Sequence, residues 1–158
     1  MAYAVLDKFA TPAALTITLA SLASSVAGVG RQSGIVDNTT NRYQDILLSL
    51  SIKQGTSPTG NKSIQVYLIR DNNDGTPIRD DSAGVADAAI TVLSASLVGI
   101  LINKATPSTG DVLKANFLIS RPGPKWGIAI VHDTVAALDA TGGNHVVSYI
   151  GMNPEIQA

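Results

Sequence analysis

The clearest pattern in the chain lies between residues 43 and 76, where apolar and polar side chains alternate in two segments separated by a polar loop. In the first segment the alternating apolar side chains are Ile46, Leu48, Leu50 and Ile52. In the second segment they are Ile64, Val66 and Leu68. Period two is typical of a β-strand with one face in the core. The loop at 54–62 is rich in glycine, serine, proline and asparagine, so we predict two long strands joined by a turn-forming connection.

Similar patterns predict further strands on both sides of this pair. We expect them at residues 14–22, 97–103, 113–120, 126–132 and 144–152. Gly99 interrupts the apolar run at 97–103, which indicates a buried strand with a bulge or a close contact. About seven or eight strands with turns between them and little helix predict an all-β fold, an antiparallel β-sandwich or jelly roll, with a closed barrel as the alternative.

The side chains expected to point into the core of this sandwich come from four of the predicted strands. They are Ile46, Leu48, Leu50, Ile64, Val66, Leu68, Phe117, Ile119, Ile128 and Ile130. Three other segments lack a clear period. We interpret 26–41 as an irregular crossing with at most a short strand near Ile35 and Val36, 86–95 as a stretch with modest helical character, and 133–143 as a loop or a short helical turn at 135–138.

The chain length predicts one domain with a short extension at each end. At 158 residues a single domain with a substantial core is expected. We interpret residues 1–13 as an N-terminal arm, because Pro12 disfavours helix at the residue before it and marks a boundary. Residues 14–152 form the predicted β-sandwich domain, and residues 153–158 form an exposed C-terminal tail.

Composition narrows the classes of partner. Charged residues make up only 15% of the chain, with 11 basic and 12 acidic residues and no basic run, so a nucleic-acid partner is not expected. The apolar stretch at 15–29 is interrupted by serine, threonine and glycine and is shorter than the about 20 apolar residues of a membrane span. The start of the chain lacks the basic region of a secretory signal. There is no cysteine, which excludes disulfides, thiolate metal sites and cysteine nucleophiles.

His132 and Asp133 are the first candidates for catalytic chemistry. A histidine held by a carboxylate acts as a general base, and a serine or threonine nucleophile would complete an esterase-like site. No serine lies in a G-x-S-x-G elbow, however, and a strand end followed by a turn explains the same two residues. His145 is the other histidine, and its spacing from His132 is not diagnostic of a metal site. We therefore expect no catalytic residues, no metal and no cofactor.

Two further features suggest binding sites with structural alternatives. The acidic segment at 71–75, with Asp80 and Asp81 nearby, suggests a loop-bound cation, but its glycine is fifth and no late glutamate follows, so it does not match an EF-hand. A hairpin turn explains the same residues. Trp126 is the only tryptophan, and such a residue serves as a sugar-stacking platform, a core residue or an interface anchor. The apolar residues around Trp126 favour burial.

Four segments carry a resemblance to a known family. They are LTITLASLASSVAGVGRQSGIVDN, YQDILLSLSIKQGTSPTGNKSIQVYLIRDNNDGT, WGIAIVHDTVAAL and NHVVSYIGMNPE. In this order they resemble a set of tailed-bacteriophage virion structural proteins. The resemblance implies a jelly-roll-like sandwich and the role of a capsid cement (decoration) protein, or of a related head or tail component. It implies no catalytic motif, and His132 stands where it implies an asparagine.

These observations lead to one main hypothesis and two alternatives. The main hypothesis is a structural protein on the capsid surface of a virion, with the major capsid protein and further copies of itself as partners, and a homotrimer as the expected oligomer. The low charge and the N-terminal arm fit this hypothesis, since arms reach neighbouring subunits. The alternatives are a carbohydrate-binding or host-attachment module that uses Trp126 and the tyrosines, and an esterase-like enzyme that uses His132.

Overall fold

The alternating segments of the sequence form the central strands of two stacked antiparallel sheets. The structure is a computed structural model that describes residues 4–71, 79–82 and 84–157. Within these residues the strands are β1 (Ala4–Phe9), β2 (Ala13–Ala14), β3 (Val29–Gln32), β4 (Val36–Asp37), β5 (Asp45–Lys53), β6 (Ser63–Asp71), β7 (Ala88–Thr91), β8 (Ser96–Ile102), β9 (Val112–Ser120), β10 (Lys125–His132) and β11 (Val146–Gln157). Short 3-10 turns lie at Asp80–Ser82 and Gly142–Asn144.

Strand order identifies the sandwich as a jelly roll. Sheet A has the order β1-β11-β5-β9, with β2 also paired to β11, and sheet B has the order β7-β3-β10-β6-β8, with β4 also paired to β10. β1 and β2 count as one interrupted strand, and β4 and β7 are additions to sheet B. The eight main strands, renumbered 1 to 8 in chain order, are then β1/β2, β3, β5, β6, β8, β9, β10 and β11. In this numbering sheet A has the order 1-8-3-6 and sheet B has the order 2-7-4-5. This is the arrangement of two interleaved Greek keys in a jelly roll. The predicted antiparallel sandwich is thereby confirmed.

The core lies between the two sheets and is built by the predicted inward faces. Alternate residues of β5 and β6 are buried, and the buried cluster joins them to residues of β9 and β10. Nine of the ten predicted inward side chains are buried, and the tenth, Phe117, is partly buried and packs against the same cluster. Ile69 and Ala129 form a second, smaller cluster on the other face of sheet B.

The predicted strand at 14–22 is wrong beyond its first residue. Only Ala13–Ala14 pair as β2, and the chain then crosses from sheet A to sheet B. Leu15 and Leu19 are buried as the alternation suggests, but after the Leu15 N–H, which donates to the Val147 carbonyl of β11 at 2.9 Å, the backbone no longer follows a strand. Its polar groups bond to loops instead, as when Thr16 accepts from the Gly34 N–H at 2.8 Å.

The segments without a clear period contain two more strands than expected. The short strand near Ile35 and Val36 is present as β4, but β3 was not predicted in the crossing at 26–41. The modest helical character at 86–95 is also wrong, because 88–91 pair with β3 as the edge strand β7. No helical turn forms at 135–138, where Val135 has a positive φ of 73°.

The run at 97–103 forms β8, with the predicted irregularity at Gly99. The register with β6 shifts between Val66 and Tyr67, so that Val98 is the extra residue of a β-bulge. The expectation of a buried strand is wrong, however. β8 is the last strand of sheet B, and its outward side chains Leu97, Ile100 and Ile102 are exposed.

The two ends of the chain pair with each other. β1 lies antiparallel to the last part of β11, from Phe9 opposite Met152 to Ala4 opposite Gln157. β5 pairs with β11 only as far as Met152. Beyond that point residues 4–9 and 152–157 form a two-stranded extension of sheet A, which we call the ribbon. The predicted arm and tail residues thus meet in one element.

Candidate functional site

His132 and Asp133 are neighbours in the chain but do not form a catalytic pair. The His132 ring is 1% exposed, with Nε2 2.9 Å from the Leu22 carbonyl oxygen and Nδ1 2.9 Å from the Thr134 hydroxyl. Burial lowers the pKa of His132 below its usual value. The Asp133 carboxylate accepts from the Ser63 N–H at 2.7 Å and lies 3.7 Å from the Lys62 ammonium group. Both side chains therefore hold loops in place, and the ring does not face solvent.

The second histidine also joins loop segments. His145 Nε2 lies 2.9 Å from the Asp139 carbonyl oxygen, and its Nδ1 faces the Lys53 N–H at 3.4 Å. The structure does not bring His132 and His145 together with carboxylates. In the parts of the chain that the structure describes, no group of three or more histidine, aspartate or glutamate side chains is arranged to hold a metal ion.

The acidic candidate for a cation site lies partly outside the described residues, which omit 72–78. Of the remaining carboxylates, Asp71 pairs with Arg79 at 3.0 Å. Asp80 accepts from the Arg70 N–H at 3.2 Å. The Asp81 carboxylate accepts from the backbone N–H groups of 93–95, at 2.8 Å for Leu93 and 3.0 Å for Ala95. Asp80 and Asp81 thus shape the turn and the loop that leads into β8.

Trp126 belongs to the core, and the hypothesis that it stacks on sugars is wrong. Its side chain is 0% exposed, and the Tyr149 ring meets it edge to face with centroids 5.0 Å apart. Burial also raises the pKa of the Tyr149 phenol. A ring that stacks on a ligand must present a face to solvent, whereas this one is enclosed between the sheets.

The ribbon exposes several apolar side chains to solvent. Its exposed apolar side chains are Val5, Leu6, Phe9 and Ile156, and Phe9 is 62% exposed. One ion pair joins its two strands, between Lys8 and Glu155 at 2.9 Å. Val5, Phe9 and Ile156 lie on one face of the ribbon and Leu6 lies on the other, because side chains alternate along β1 and Val5 pairs with Ile156. Isolated two-stranded ribbons are marginally stable in water, and exposed apolar side chains that share a face mark interaction sites. The ribbon therefore has the features of a docking element that a partner covers.

Two asparagines anchor the base of the ribbon to the body. The Asn153 carboxamide accepts from the Gln44 N–H at 2.9 Å and donates to the Asn41 carbonyl at 3.1 Å. Asn38 fixes the adjacent loop, since its side chain donates to the carbonyls of Tyr43 and Gly123 at 3.1 and 3.0 Å. The ribbon base is thus held by side-chain amides at one end of the sandwich.

A cleft of about 410 Å³ lies beside this base, between the loops at 38–44 and 121–124. It is lined by Asn38, Thr39, Arg42, Tyr43, Gln44, Arg121, Gly123 and Pro124. Arg42 and Arg121 both have left-handed backbone, with φ of 53° and 51°. Such a conformation is uncommon for residues other than glycine and is found where the surrounding structure imposes it.

The charge of this cleft is not neutralised by the described residues. None of the ion pairs among them involves Arg42 or Arg121. The one side-chain bond of Arg42 runs from Nε to the Thr39 carbonyl at 3.2 Å. Because guanidinium groups stay charged and bind carboxylates or phosphates in pairs of hydrogen bonds, the cleft favours an anionic group. We call the ribbon and this cleft together the ribbon end.

Sequence reasoning did not find the ribbon end. The alternation in 4–9 is short, and Arg121 precedes a Pro-Gly-Pro turn that accounts for it as a strand terminator. Pairing between the two ends of the chain leaves no local pattern.

Neither a protein-family profile, nor a curated protein, nor a solved structure matches this chain. None of the described segments is a helix long and apolar enough to cross a membrane.

Proposed function

We propose that this chain is a structural assembly protein that binds the outer surface of a capsid shell through its ribbon end and stabilises the assembled shell. The observation that carries the proposal is the ribbon, whose apolar side chains Val5, Leu6, Phe9 and Ile156 have no covering layer among the described residues. An element of this kind gains stability when a partner covers it.

The chemistry of the ribbon end specifies the partner surface. The apolar ribbon fits a shallow hydrophobic groove, and the arginine cleft fits a carboxylate beside that groove. Complementary charges of this kind set orientation and association rate more than affinity. The identification of the partner as a major capsid protein rests on the resemblance of the four sequence segments to tailed-bacteriophage virion proteins, and so does the expected homotrimer.

The mechanism is thermodynamic. A protein that binds the assembled shell but not its separate subunits stabilises the shell by mass action. Such a role needs surface complementarity and no bond-making chemistry. The buried environments of His132 and Trp126 agree with this role, because both side chains support the fold and neither presents its ring to a ligand.

The content of purified virus particles tests the proposal. Particles of the phage that encodes the chain are purified by density gradient, and their proteins are quantified by mass spectrometry. The chain is expected at a copy number comparable with that of the shell subunit. Its absence from particles, or its presence only in trace amounts beside abundant soluble protein, would contradict the proposal.

A further inference from the structure

The edges of the two sheets differ in how they are protected against pairing. Native proteins shield edge strands with charges, proline, bulges or short length. β7, at one edge of sheet B, has four residues, and β8, at the other, carries the bulge at Val98. β1, at one edge of sheet A, carries Asp7 and the ion pair of Lys8 with Glu155. β9, at the other edge of sheet A, has none of these features apart from one lysine.

β9 is a long and regular edge strand. It has nine residues, VLKANFLIS, without proline or glycine, and Lys114 is its only charge. All nine residues pair with β5 without a register shift, so no bulge interrupts the strand. Among the described residues its ladder partner is β5 alone, which leaves the backbone groups of its other side without a strand. Such an edge is a template for another strand.

Exposed apolar side chains surround this edge. Leu118 on β9 is 63% exposed, and Val112 is also exposed. β8 runs along the same side of the sandwich and contributes Leu97 to a groove that it lines with β9, whereas its exposed Ile100 and Ile102 lie on the outer face of sheet B. One side of the molecule thus combines an unpaired edge with an apolar border.

We propose that β9 pairs with β9 of a second copy of this chain, antiparallel and across a two-fold axis at Asn116. The two copies of sheet A then form one continuous sheet. The contact is isologous, so each β9 edge is covered by the β9 edge of one other copy. The proposal goes beyond the capsid role and does not depend on it, because it involves only copies of this chain.

The sequence of β9 selects this register. Side chains opposite each other in an antiparallel pair share one face, so inward residues must meet inward residues. With the axis at Asn116 every residue of β9 has a partner, and Val112 lies opposite Ser120 of the second copy. Ala115 meets Phe117, a small side chain against a large one. The two Asn116 carboxamides meet at the axis, where each supplies a donor and an acceptor.

Charge also favours this register. With the axis at Asn116, Lys114 lies opposite Leu118 of the second copy, so its stem covers apolar surface. With the axis at Lys114 the two ammonium groups would lie opposite each other, and like charges in that position are destabilising. The single lysine of β9 therefore opposes a shifted pairing and permits the central one.

The contact is large enough for a specific dimer. A nine-residue strand is about 30 Å long, and two sheets about 10 Å apart with their side chains make a side about 20 Å deep. Covering that side buries about 600 Å² on each copy, or about 1,200 Å² in total, which is the lower end of the range for specific interfaces. Leu97 of β8, which lines the groove between β8 and β9, lies within this area.

Cysteine cross-linking tests both the contact and its register, because the chain has no cysteine of its own. In the proposed pair the two Cα atoms at position 116 are about 4.5–5.5 Å apart, within the range that a disulfide spans. The two Cα atoms at position 114 are about 13 Å or more apart, because four residues of strand separate them along the sheet. Asn116→Cys should therefore form a covalent dimer under mild oxidation, and Lys114→Cys should not.

Two controls complete the cross-linking experiment. An equal mixture of Lys114→Cys and Leu118→Cys should form the mixed dimer, since these positions face each other. Ser49→Cys lies opposite Asn116 within one chain but on the inner strand β5, and it should remain monomeric on a non-reducing gel. If Asn116→Cys stays uncross-linked at high micromolar concentration, or if Lys114→Cys and Ser49→Cys cross-link equally well, the proposed pairing is overturned.

A second measurement does not depend on the cysteine variants. Sedimentation velocity of the unmodified chain, without any capsid, should show reversible doubling of mass with concentration. Asn116→Lys places two ammonium groups at the axis and should weaken the doubling at least about tenfold. Thr40→Lys adds the same charge at an exposed polar residue in the loop before β5, so it is the matched control and should leave the doubling unchanged. A mass that does not double, or doubling that Asn116→Lys leaves intact, refutes the pairing.

Discussion

The ring of Phe117 in β9 lies directly against the backbone of Gly99 in β8. A Cβ atom at Gly99 would overlap the ring atoms Cε1 and Cδ1. The bulge at Val98 directly precedes Gly99 in the chain. The ring of Phe117 thus fills the space between the two edge strands at this point. Glycine is needed here for space, since its φ is not in the left-handed region.

Gly99→Ala should therefore destabilise the fold by about 1–3 kcal/mol, the usual result of overpacking a fitted site. Gly142→Ala is the matched control, because a Cβ there meets no atom within 4 Å, and it should change the free energy of unfolding by less than about 0.5 kcal/mol. Urea unfolding measures the change in the free energy of unfolding for both variants. The effect of Gly99→Ala should shrink in a Phe117→Leu background, and equal effects in both backgrounds would contradict the contact.

Core truncation should separate the inward from the outward residues of the strands. Leu48 in β5 and Ile128 in β10 are fully buried on the inner faces of the two sheets. Leu48→Ala or Ile128→Ala should lower the free energy of unfolding by about 2–5 kcal/mol, because each leaves a cavity that the sheets cannot close. Leu118→Ala is the control, because Leu118 is exposed on the outer face of β9, and it should leave the free energy of unfolding of the monomer nearly unchanged. Losses below about 1 kcal/mol at both buried sites would contradict the assigned core.

Protonation of His132 should make stability depend on pH. Burial lowers the pKa of His132 in the folded state, while the unfolded chain keeps the ordinary value of about 6.5. The ring bonds to Leu22 and Thr134. The bond to the Leu22 carbonyl and, to a smaller extent, the nearby Asp133 carboxylate partly oppose the shift. The stability that the neutral ring contributes is complete above about pH 6.5 and is lost as the pH falls towards the lowered folded pKa.

His132→Asn should flatten this dependence. Urea unfolding of the unmodified chain at about pH 7.5 and about pH 5 should give a larger difference in free energy than unfolding of the variant at the same two values. An equal difference would show that folding does not lower the pKa of His132. Well-folded His132→Asn or His132→Ala protein should also keep the proposed binding to capsid shells. Hydrolysis of a native ester substrate that disappears with this substitution would identify an enzyme instead.

Asp139 should titrate at unusually low pH. Its carboxylate accepts from the Asn144 side chain at 2.8 Å and from the Thr141 N–H at 2.9 Å, and Lys53 lies 3.2 Å away. These donors lower the pKa of Asp139 to about 2. The stability contributed by the charged form is therefore present above the ordinary carboxyl pKa of about 3.9 and is lost as the pH falls towards 2.

Asn144→Ala removes the largest of these contributions and should raise the pKa of Asp139 towards its ordinary value. Carboxyl chemical shifts followed by NMR over the acidic range measure it directly. Asn116→Ala, which leaves the Asp139 loop untouched, is the control. An unchanged Asp139 titration in Asn144→Ala would show that the side-chain bond is not formed in solution.

The elements that the sequence predicted are those whose pattern is local. β5 alternates over its nine residues and β6 over its first six, so their faces and their core side chains follow from period two alone. β10 is buried on both faces, and its apolar run still identified it as a strand. The burial of Trp126 followed from its apolar neighbours.

Elements that depend on distant partners were missed. β3 reads VGRQ, which has no strand period, and it forms because β10 and β7 lie on either side of it. Gly30 in that strand permits the close approach of the Ile130 carbonyl. The helical character at 86–95 was overridden by the same ladder. The ribbon needs both ends of the chain, so neither β1 nor the end of β11 predicts it alone.

The most direct test of the proposed assembly role is co-sedimentation of the chain with purified capsid shells of the phage that the proposal takes as its source. Val5→Asp places a charge on the ribbon, and Val26→Asp makes the same change at an exposed valine in the crossing that leads to β3. The unmodified chain and Val26→Asp should sediment with shells, and Val5→Asp should bind about tenfold more weakly or worse, because a buried valine contributes about 1.5–3 kcal/mol. An unmodified chain that stays in the supernatant, or Val5→Asp binding as tightly as Val26→Asp, would contradict the account.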